Sequence, residues 1–242
     1  PYLDRTEHES MAGFLLDWSR THFGDDVADR VAGVYRDYFN IPYLQDPLRQ
    51  GENALFRSIY RLSDAVTDAK RPAASEQLAA QTERMQEFAR AHRPYLEQLL
   101  IEAEGVAVLI PDDRRPFFVA HMVVPLRIHH GGLTVTEAFA RAVAAWSSRD
   151  NTRAVDCASE ALAAADAILE AVHRAEFGKW RRWFQGDIFV GLATARDRIR
   201  CFHAVASGQP PPPFRVRQKY EDMNRYQERF KDNYPLLHPA KR

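Results

Sequence analysis

An acidic motif near the beginning of the chain has a spacing that suits magnesium binding. Asp25, Asp26 and Asp29 form the pattern DDxxD, which places carboxylates on one side of a helix, and Mg²⁺ accepts carboxylate oxygens as ligands. A magnesium-dependent all-α lyase or synthase would need a second such motif, but Asp112 and Asp113 are followed by arginines instead of a third acid. We favour the interpretation that Asp25 caps a helix and that the other acids complement its positive end.

A second metal-like pattern is the ExxH pair formed by Glu170 and His173. Carboxylate-bridged di-iron bundles use this pair because positions i and i+3 share a helix face, but they need it twice, together with two further glutamates. The sequence has it once. It also has no phosphate loop, dinucleotide fingerprint, GxSxG or HExxH motif. We therefore expect neither a metal nor another cofactor, and no catalytic residue is assigned.

Two adjacent histidines, His129 and His130, precede Gly131 and Gly132. This combination predicts a polar break at a junction between helices, where the imidazoles could bind a sugar or a carboxylate at the mouth of a site. Neighbouring positions on a helix point about 100° apart, so the two rings rarely ligate one metal. The alternative is a turn whose side chains satisfy the free groups at a helix end.

The most unusual local cluster mixes tryptophan with cations. Lys179, Trp180 and Trp183 lie within the stretch GKWRRW, and indole rings beside Lys or Arg can stack on a sugar or a base or anchor a domain interface. The alternative is a buried tryptophan whose cationic neighbours point to solvent. Together with His129 and His130, these three residues form the predicted binding or domain-interface site.

The composition excludes several classes of protein. The 242 residues are 45% hydrophobic and 27% charged, as in ordinary globular domains. Lys plus Arg and Asp plus Glu both total 33, so the basic excess of a nucleic-acid-binding protein is missing. No stretch reaches the roughly 20 apolar residues of a membrane helix. Cys157 and Cys201 lie in predicted helices without a CxxC pattern, which predicts two buried free thiols.

Helical periodicity dominates the first half of the chain. Thr6 and Glu9 form a capping box, and Gly24 provides a helix end. The expected apolar faces of the first two helices are Met11, Phe14, Leu15 and Trp18, then Val27, Val31, Val34 and Tyr38. A third helix is expected over residues 53–70, and a fourth begins after Ser75 with Leu78, Met85 and Phe88 on its face.

Prolines and β-branched residues divide the middle of the chain. Pro94 either kinks the fourth helix or begins a fifth, and Pro125 should kink the long helix that starts near Pro116. The short segment Val106–Ile110 could be a strand fragment, although one strand cannot make a sheet.

The last helices have the most regular apolar patterns. After Asn151, the stripe consists of Val155, Ala158, Leu162, Ala165, Leu169 and Val172, the seam of an antiparallel bundle. Another stripe consists of Ile188, Leu192, Ala195, Ile199 and Phe202. Gly208 and the prolines after it should end the bundle. The prediction is an all-α antiparallel bundle of about seven to nine helices over residues 1–208, followed by a Pro-rich linker and a charged, aromatic tail over 209–242.

Several segments, taken in order, resemble the helical domain of the family-115 glycoside hydrolases, the xylan α-glucuronidases. They are residues 14–18 (FLLDW), 22–24 (HFG) with the acid-started helix up to Asn40, 117–125 (FFVAHMVVP) and the long helix after Asn151 that closes at GKW. Order and approximate spacing agree over roughly residues 8–185.

The resemblance implies that the chain is a helical accessory domain that packs beside a catalytic (β/α)8 barrel of the same native polypeptide, often in a dimer contact. It implies carbohydrate as the substrate class, while the main catalytic carboxylates would belong to the barrel. The absence of an initiator Met before Pro1 agrees with this expectation. Two alternatives remain open: a stand-alone helical protein-interaction module, and the magnesium-dependent lyase or synthase. We expect neither a nucleic-acid nor a membrane partner.

Overall fold

The structure is a computed structural model, and it describes residues 10–44, 59, 76–176 and 192–212. This part of the chain contains six long helices and no strand: α1 (Met11–Phe23), α2 (Asp25–Phe39), α3 (Glu76–Ala107), α4 (Val124–Ser147), α5 (Asn151–Ala175) and α6 (Leu192–Ala206). Short helical turns occur at Pro42–Leu44, Arg115–Phe118 and Val119–Val123. The all-α prediction is confirmed. The predicted number of seven to nine helices is not confirmed in these residues.

The helix α4 is central, because it packs against α3 on one side and against α5 on the other. The ion pairs Arg93–Glu137 and Glu104–Arg127 join α3 to α4. The later residue of α3 pairs with the earlier residue of α4, so these helices are antiparallel. A hairpin of α1 and α2 rests on this core, and α6 packs on α5. None of the described helices is long and apolar enough to cross a membrane. The predicted helix over residues 53–70 and the Thr6–Glu9 capping box lie outside the described residues, as does the tail beyond residue 212.

Polar side chains and glycines set the helix ends. Ser10 accepts a hydrogen bond from the Gly13 backbone N–H at 3.2 Å and begins α1, and Asp150 begins α5 in the same way. Gly24 ends α1 with φ of +98°, as predicted, and it is also the N-cap of α2. The expected cap at Asp25 is therefore wrong. This residue lies in the first helical turn, where its charge still complements the helix dipole.

Two further expectations about local structure are wrong. Met11 was placed on the buried face of α1, but 69% of it is exposed because α1 begins at this residue. The segment Val106–Ile110 is not a strand, because it contains the last turn of α3 and the turn that follows. Arg115 holds this end. Its guanidinium donates to the Ala107 carbonyl at 2.9 Å and to the Ile110 carbonyl at 3.0 Å, which satisfies free acceptors of the helix terminus.

The two helix prolines have different surroundings. Pro94 lies inside the continuous helix α3 and does not begin a new one. Pro125 lies at the start of α4, and the preceding turn, Val119–Val123, is π-helical. Proline lacks an N–H and its ring crowds the carbonyl four residues earlier, so the wider turn absorbs the interruption of the hydrogen-bond ladder.

The predicted stripe on α5 is confirmed in half: Ala158, Ala165 and Val172 are buried, whereas the other three predicted residues are not fully buried. The buried centre consists of small residues, Ala154, Ala158, Ala161 and Ala165, with Ile168 and Val172 beyond them. Val155, Leu162 and Leu169 lie only half-buried at the edge of the core. Alanines in the centre let α5 approach α4 closely. On α6 the predicted face from Leu192 to Phe202 is confirmed as buried, and Ile188 lies outside the described residues.

Candidate functional site

The predicted site residue with the most distinctive surroundings is His129. The hydroxyl of Tyr43 lies 2.7 Å from its Nδ1, a hydrogen bond between residues that are 86 positions apart in sequence. Tyr43 belongs to the short turn Pro42–Leu44, and it is almost completely buried. This turn follows α2 and carries the phenol to the side of α4, so the pair links the first hairpin to the centre of the bundle.

Aromatic rings surround this hydrogen bond. The ring of Tyr38 lies 6.0 Å from that of His129 in an edge-to-face arrangement. On the other side, the ring of Tyr43 lies 5.2 Å from His92 and 5.6 Å from Phe88, both of α3. We call Tyr38, Tyr43, Phe88, His92 and His129 the histidine–tyrosine cluster. Its members come from α2, α3, α4 and the turn at Tyr43, so it lies where these elements meet.

The cluster keeps its imidazoles uncharged. Burial lowers the pKa of His129 to about 4, and burial also lowers the pKa of His92. Removal from water disfavours the charged form of a histidine, and neutral aromatic neighbours do not compensate for this loss. At neutral pH the ring of His129 is therefore neutral, and its hydrogen bond to Tyr43 fixes the ring orientation. The arrangement can hold an oriented imidazole that takes up a proton only under acidic conditions.

His130, the next residue, has a different environment. Burial lowers its pKa, the charge of Glu97 acts in the opposite direction, and that of Arg93 adds to the lowering. Both histidines lie inside the continuous helix α4, so the predicted polar break at this position is wrong. Gly131 has a packing role and does not mark the end of a helix. A Cβ at this position would lie 2.6 Å from Cγ1 of Ile168, so the glycine permits close helix packing.

Lys179, Trp180 and Trp183 lie outside the described residues. The structure therefore places two of the five predicted site residues, His129 and His130, and leaves the proposed link to the Trp cluster as a prediction. Tyr43 and His92 belong to the candidate site but were not singled out in the sequence. Neither has a local signal, because Tyr43 meets His129, and His92 meets Tyr43, only through the packing of distant segments.

The acidic patterns do not assemble a metal site in the part of the chain that is described, where no group of three or more metal-ligating side chains occurs. Asp25, Asp26 and Asp29 are exposed at the start of α2. Glu170 pairs with Arg174 on the surface of α5. The acidic patterns are therefore accounted for by surface and helix-end interactions.

The two cysteines and the Ser159–His203 pair are further side chains of chemically reactive types. Cys157 is a buried free thiol as predicted, whereas Cys201 is only partly buried. Ser159 and His203 lie 3.0 Å apart. The serine hydroxyl donates to the Val155 carbonyl at 2.9 Å, so its proton is directed away from the imidazole. The Ser159–His203 contact joins α5 to α6 at an exposed position.

Comparison of the chain with protein-family models, with characterised proteins and with solved structures finds no match.

Proposed function

We propose that this chain is the helical accessory domain of a carbohydrate-active glycoside hydrolase of the α-glucuronidase type. In this proposal it packs beside a catalytic barrel of the same native polypeptide and supplies support and not the catalytic carboxylates. The starting point is the ordered resemblance to the family-115 helical domain. The observation that carries the proposal further is how the resembling segments meet in space.

The contact between these segments is centred on Phe23. This residue ends α1 in the HFG motif, and only 1% of it is exposed. Its ring lies 5.6 Å from Phe118 in an edge-to-face arrangement and 6.1 Å from Phe117. Two segments separated by more than ninety residues thus form one aromatic core. Motifs that are shared in order and packed on each other are what a common structural module requires, and this supports the proposal.

The test is an activity assay on the purified chain. Glucuronoxylan fragments and aryl glycosides serve as substrates, with an active α-glucuronidase as the positive control. We expect no turnover above the blank for this chain alone, and we expect a barrel to be encoded in frame upstream of Pro1. Robust turnover by the isolated chain would reject the proposal, as would a reading frame that begins immediately before it.

One observation favours the alternative of a protein-interaction module. Three apolar side chains near the end of α3 are strongly exposed: Ile101 at 58%, Val108 at 69% and Leu109 at 47%. Exposed apolar groups that lie close together are typical of contact surfaces. The two hypotheses differ in one respect that can be checked directly. An upstream barrel removes the stand-alone module, whereas a gene without one favours it.

A further inference from the structure

A polar groove runs along the outer part of the interface between α3 and α4. It is open to solvent, has a volume of about 460 Å³ and is lined by Ala79, Thr82, Glu83, Gln86, Arg90, Ala144, Ser147 and Ser148. This volume lies within the range of roughly 300–1,000 Å³ that is usual for small-molecule sites. The groove is separate from the histidine–tyrosine cluster and from every motif discussed above.

Small side chains open the groove at the end of a charged interface. Further along α3 and α4, the pairs Arg93–Glu137 and Arg127–Glu104 close the gap between the two helices. Beyond them α4 ends in Ala144, Ser147 and Ser148, which are too short to reach across. The space that remains is therefore bounded by polar groups of α3 on one wall and by hydroxyls of α4 on the other.

The hydroxyl protons of the groove are already used within each helix. Ser147 donates to the Ala144 carbonyl at 2.8 Å, and Ser148 donates to the same carbonyl at 3.0 Å. Thr82 donates to the Ala79 carbonyl at 2.9 Å. A hydroxyl that donates in this way still has oxygen lone pairs to accept with. The middle of the groove thus offers acceptors and calls for a ligand with hydrogen-bond donors.

Opposite charges lie towards the two ends of this groove. Arg90 donates its Nε–H to the Gln86 carbonyl at 3.2 Å, and its terminal nitrogens have no partner among the described residues. Glu83 likewise forms no ion pair with a described residue. The two residues are seven positions apart on α3, which corresponds to roughly 10 Å along the helix axis. A guanidinium at one end fits a carboxylate, and a carboxylate at the other end fits a donor.

We propose that this groove binds an elongated organic carboxylate whose far end carries hydrogen-bond donors. The ligand's carboxylate contacts Arg90, and its ammonium or hydroxyl groups contact Glu83, Ser147 and Ser148. An extended tripeptide has about the required length, at roughly 3.3–3.6 Å per residue, and a sugar acid offers the same chemistry through hydroxyls. This proposal does not depend on the accessory-domain function. A failure of either proposal would leave the other unaffected.

The test is a titration followed by NMR chemical shifts and calorimetry, with triglycine and gluconate as the two candidate ligands. Hexanoate, which lacks distal donors, and sorbitol, which lacks the carboxylate, serve as matched controls. We expect saturable shifts at the backbone amides of Gln86, Ser147 and Ser148 with triglycine, gluconate or both. Binding of one candidate only identifies ammonium or hydroxyl groups as the donors and still supports the proposal.

Arg90→Gln should weaken binding roughly ten- to a hundredfold, as expected for the loss of a charge-assisted pair. Arg84→Gln is the matched control, because Arg84 is an exposed arginine of the same helix that does not line the groove. This variant should bind like the wild type. The proposal is overturned if neither candidate saturates, if hexanoate or sorbitol binds equally well, or if both variants lose affinity alike. Circular dichroism of each variant checks that the helices are intact.

Discussion

The two sides of α4 are packed by different means. The side towards α3 is joined by ion pairs, contains the histidine–tyrosine cluster and leaves the polar groove unfilled. The side towards α5 is packed by small residues, with Gly131 against Ile168 and a row of alanines on the facing helix. Ion pairs lie on both sides, because Arg141 of α4 also pairs with Glu160 of α5, and what distinguishes the α5 side is the close fit of shape around Gly131.

This difference decides what each interface tolerates. Close packing of small residues leaves no space for extra atoms, and added volume must be absorbed by strain. A charged interface tolerates gaps, but it suffers when one member of a buried pair is removed, because the other then stays buried without a partner. Substitutions that add volume on the α5 side, or that remove one charge on the α3 side, test whether the two interfaces differ in this way.

The largest effect is expected at Gly131 on the α5 side. In Gly131→Val the new Cβ would lie 2.6 Å from Cγ1 and 2.8 Å from Cδ1 of Ile168. We expect the free energy of unfolding to fall by about 3 kcal/mol, as measured by urea denaturation. Adding Ile168→Ala to this variant should recover part of the loss by making room.

Gly105 provides the matched control for this prediction. It also lies within a helix, but a Cβ at this position would meet nothing within 4 Å. Gly105→Ala should raise the free energy of unfolding by roughly 0.5–1 kcal/mol, because alanine is the better helix former. If Gly131→Ala stabilised the protein as much as Gly105→Ala does, the close approach of α4 and α5 would be wrong.

The next effect is expected on the α3 side. In the Arg93–Glu137 pair the glutamate side chain is only 14% exposed. Arg93→Met removes the direct ion-pair partner of this carboxylate and leaves only the nearby charge of Arg141, and we expect a loss of about 2 kcal/mol in the free energy of unfolding. The double variant Arg93→Met/Glu137→Leu should recover most of it.

The Arg141–Glu160 pair between α4 and α5 is the comparison for this substitution. Its side chains are 30% and 48% exposed, so Arg141→Met should cost less than about 1 kcal/mol. Equal losses for the two arginines would contradict the view that ion pairing matters mainly on the α3 side.

The α3 side should also give the protein a response to pH through His129. The folded-state pKa of about 4 lies below the 6.5 of an unperturbed histidine. Between these values the unfolded chain binds the proton and the folded chain does not, so stability falls as the pH decreases from about 6.5 to about 4. We expect a loss of about 2 kcal/mol over this window from His129. It is measured as the difference in pH-dependent urea denaturation between wild type and His129→Gln.

The exposed His173 on α5 serves as the control for this experiment. His173→Gln should keep the pH dependence of the wild type. If His129→Gln kept it too, the neutral imidazole of His129 could not be the origin of the response.

The smallest effect concerns the connection that leads from α4 to α5. Arg149 has φ of +67°, although it is not a glycine. It ends α4 with the same hydrogen-bond pattern that Gly208, at φ of +72°, forms after α6. Arg149→Gly should therefore stabilise the protein by roughly 0.5–1 kcal/mol. Gly208→Ala should destabilise it by a similar amount. Thermal unfolding of both variants is sensitive enough to detect the two signs.

The sequence predicted the features that depend on neighbouring residues. Gly24 ends a helix because a positive φ favours glycine, and the valines at positions 27, 31 and 34 are buried because their spacing follows the helix. It failed where the outcome depends on distant segments. His129 was associated with a break in the helix, and no local pattern indicates that Tyr43 would approach it.

The buried face of α5 was predicted only in part. The prediction placed Ala158 and Ala165 there correctly, but it also included Leu162 and Leu169 because leucine is the more hydrophobic residue. The close approach to α4 reverses this order, because only small residues fit at the centre. Likewise, Gly131 reads as a helix breaker until Ile168 is placed opposite it.

The π-helical turn at Val119–Val123 acts as an insertion of one residue in the path that leads into α4. Each residue of an α-helix advances the chain by about 100° around the axis. The extra residue therefore sets the rotational phase of the turn Arg115–Phe118 relative to α4. Deleting one residue here would turn Phe118 by about 100° around the helix axis relative to α4, away from Phe23. The packing of Phe118 on Phe23 thus depends on a rotation of the backbone that the π-helical turn provides and that no single side chain provides.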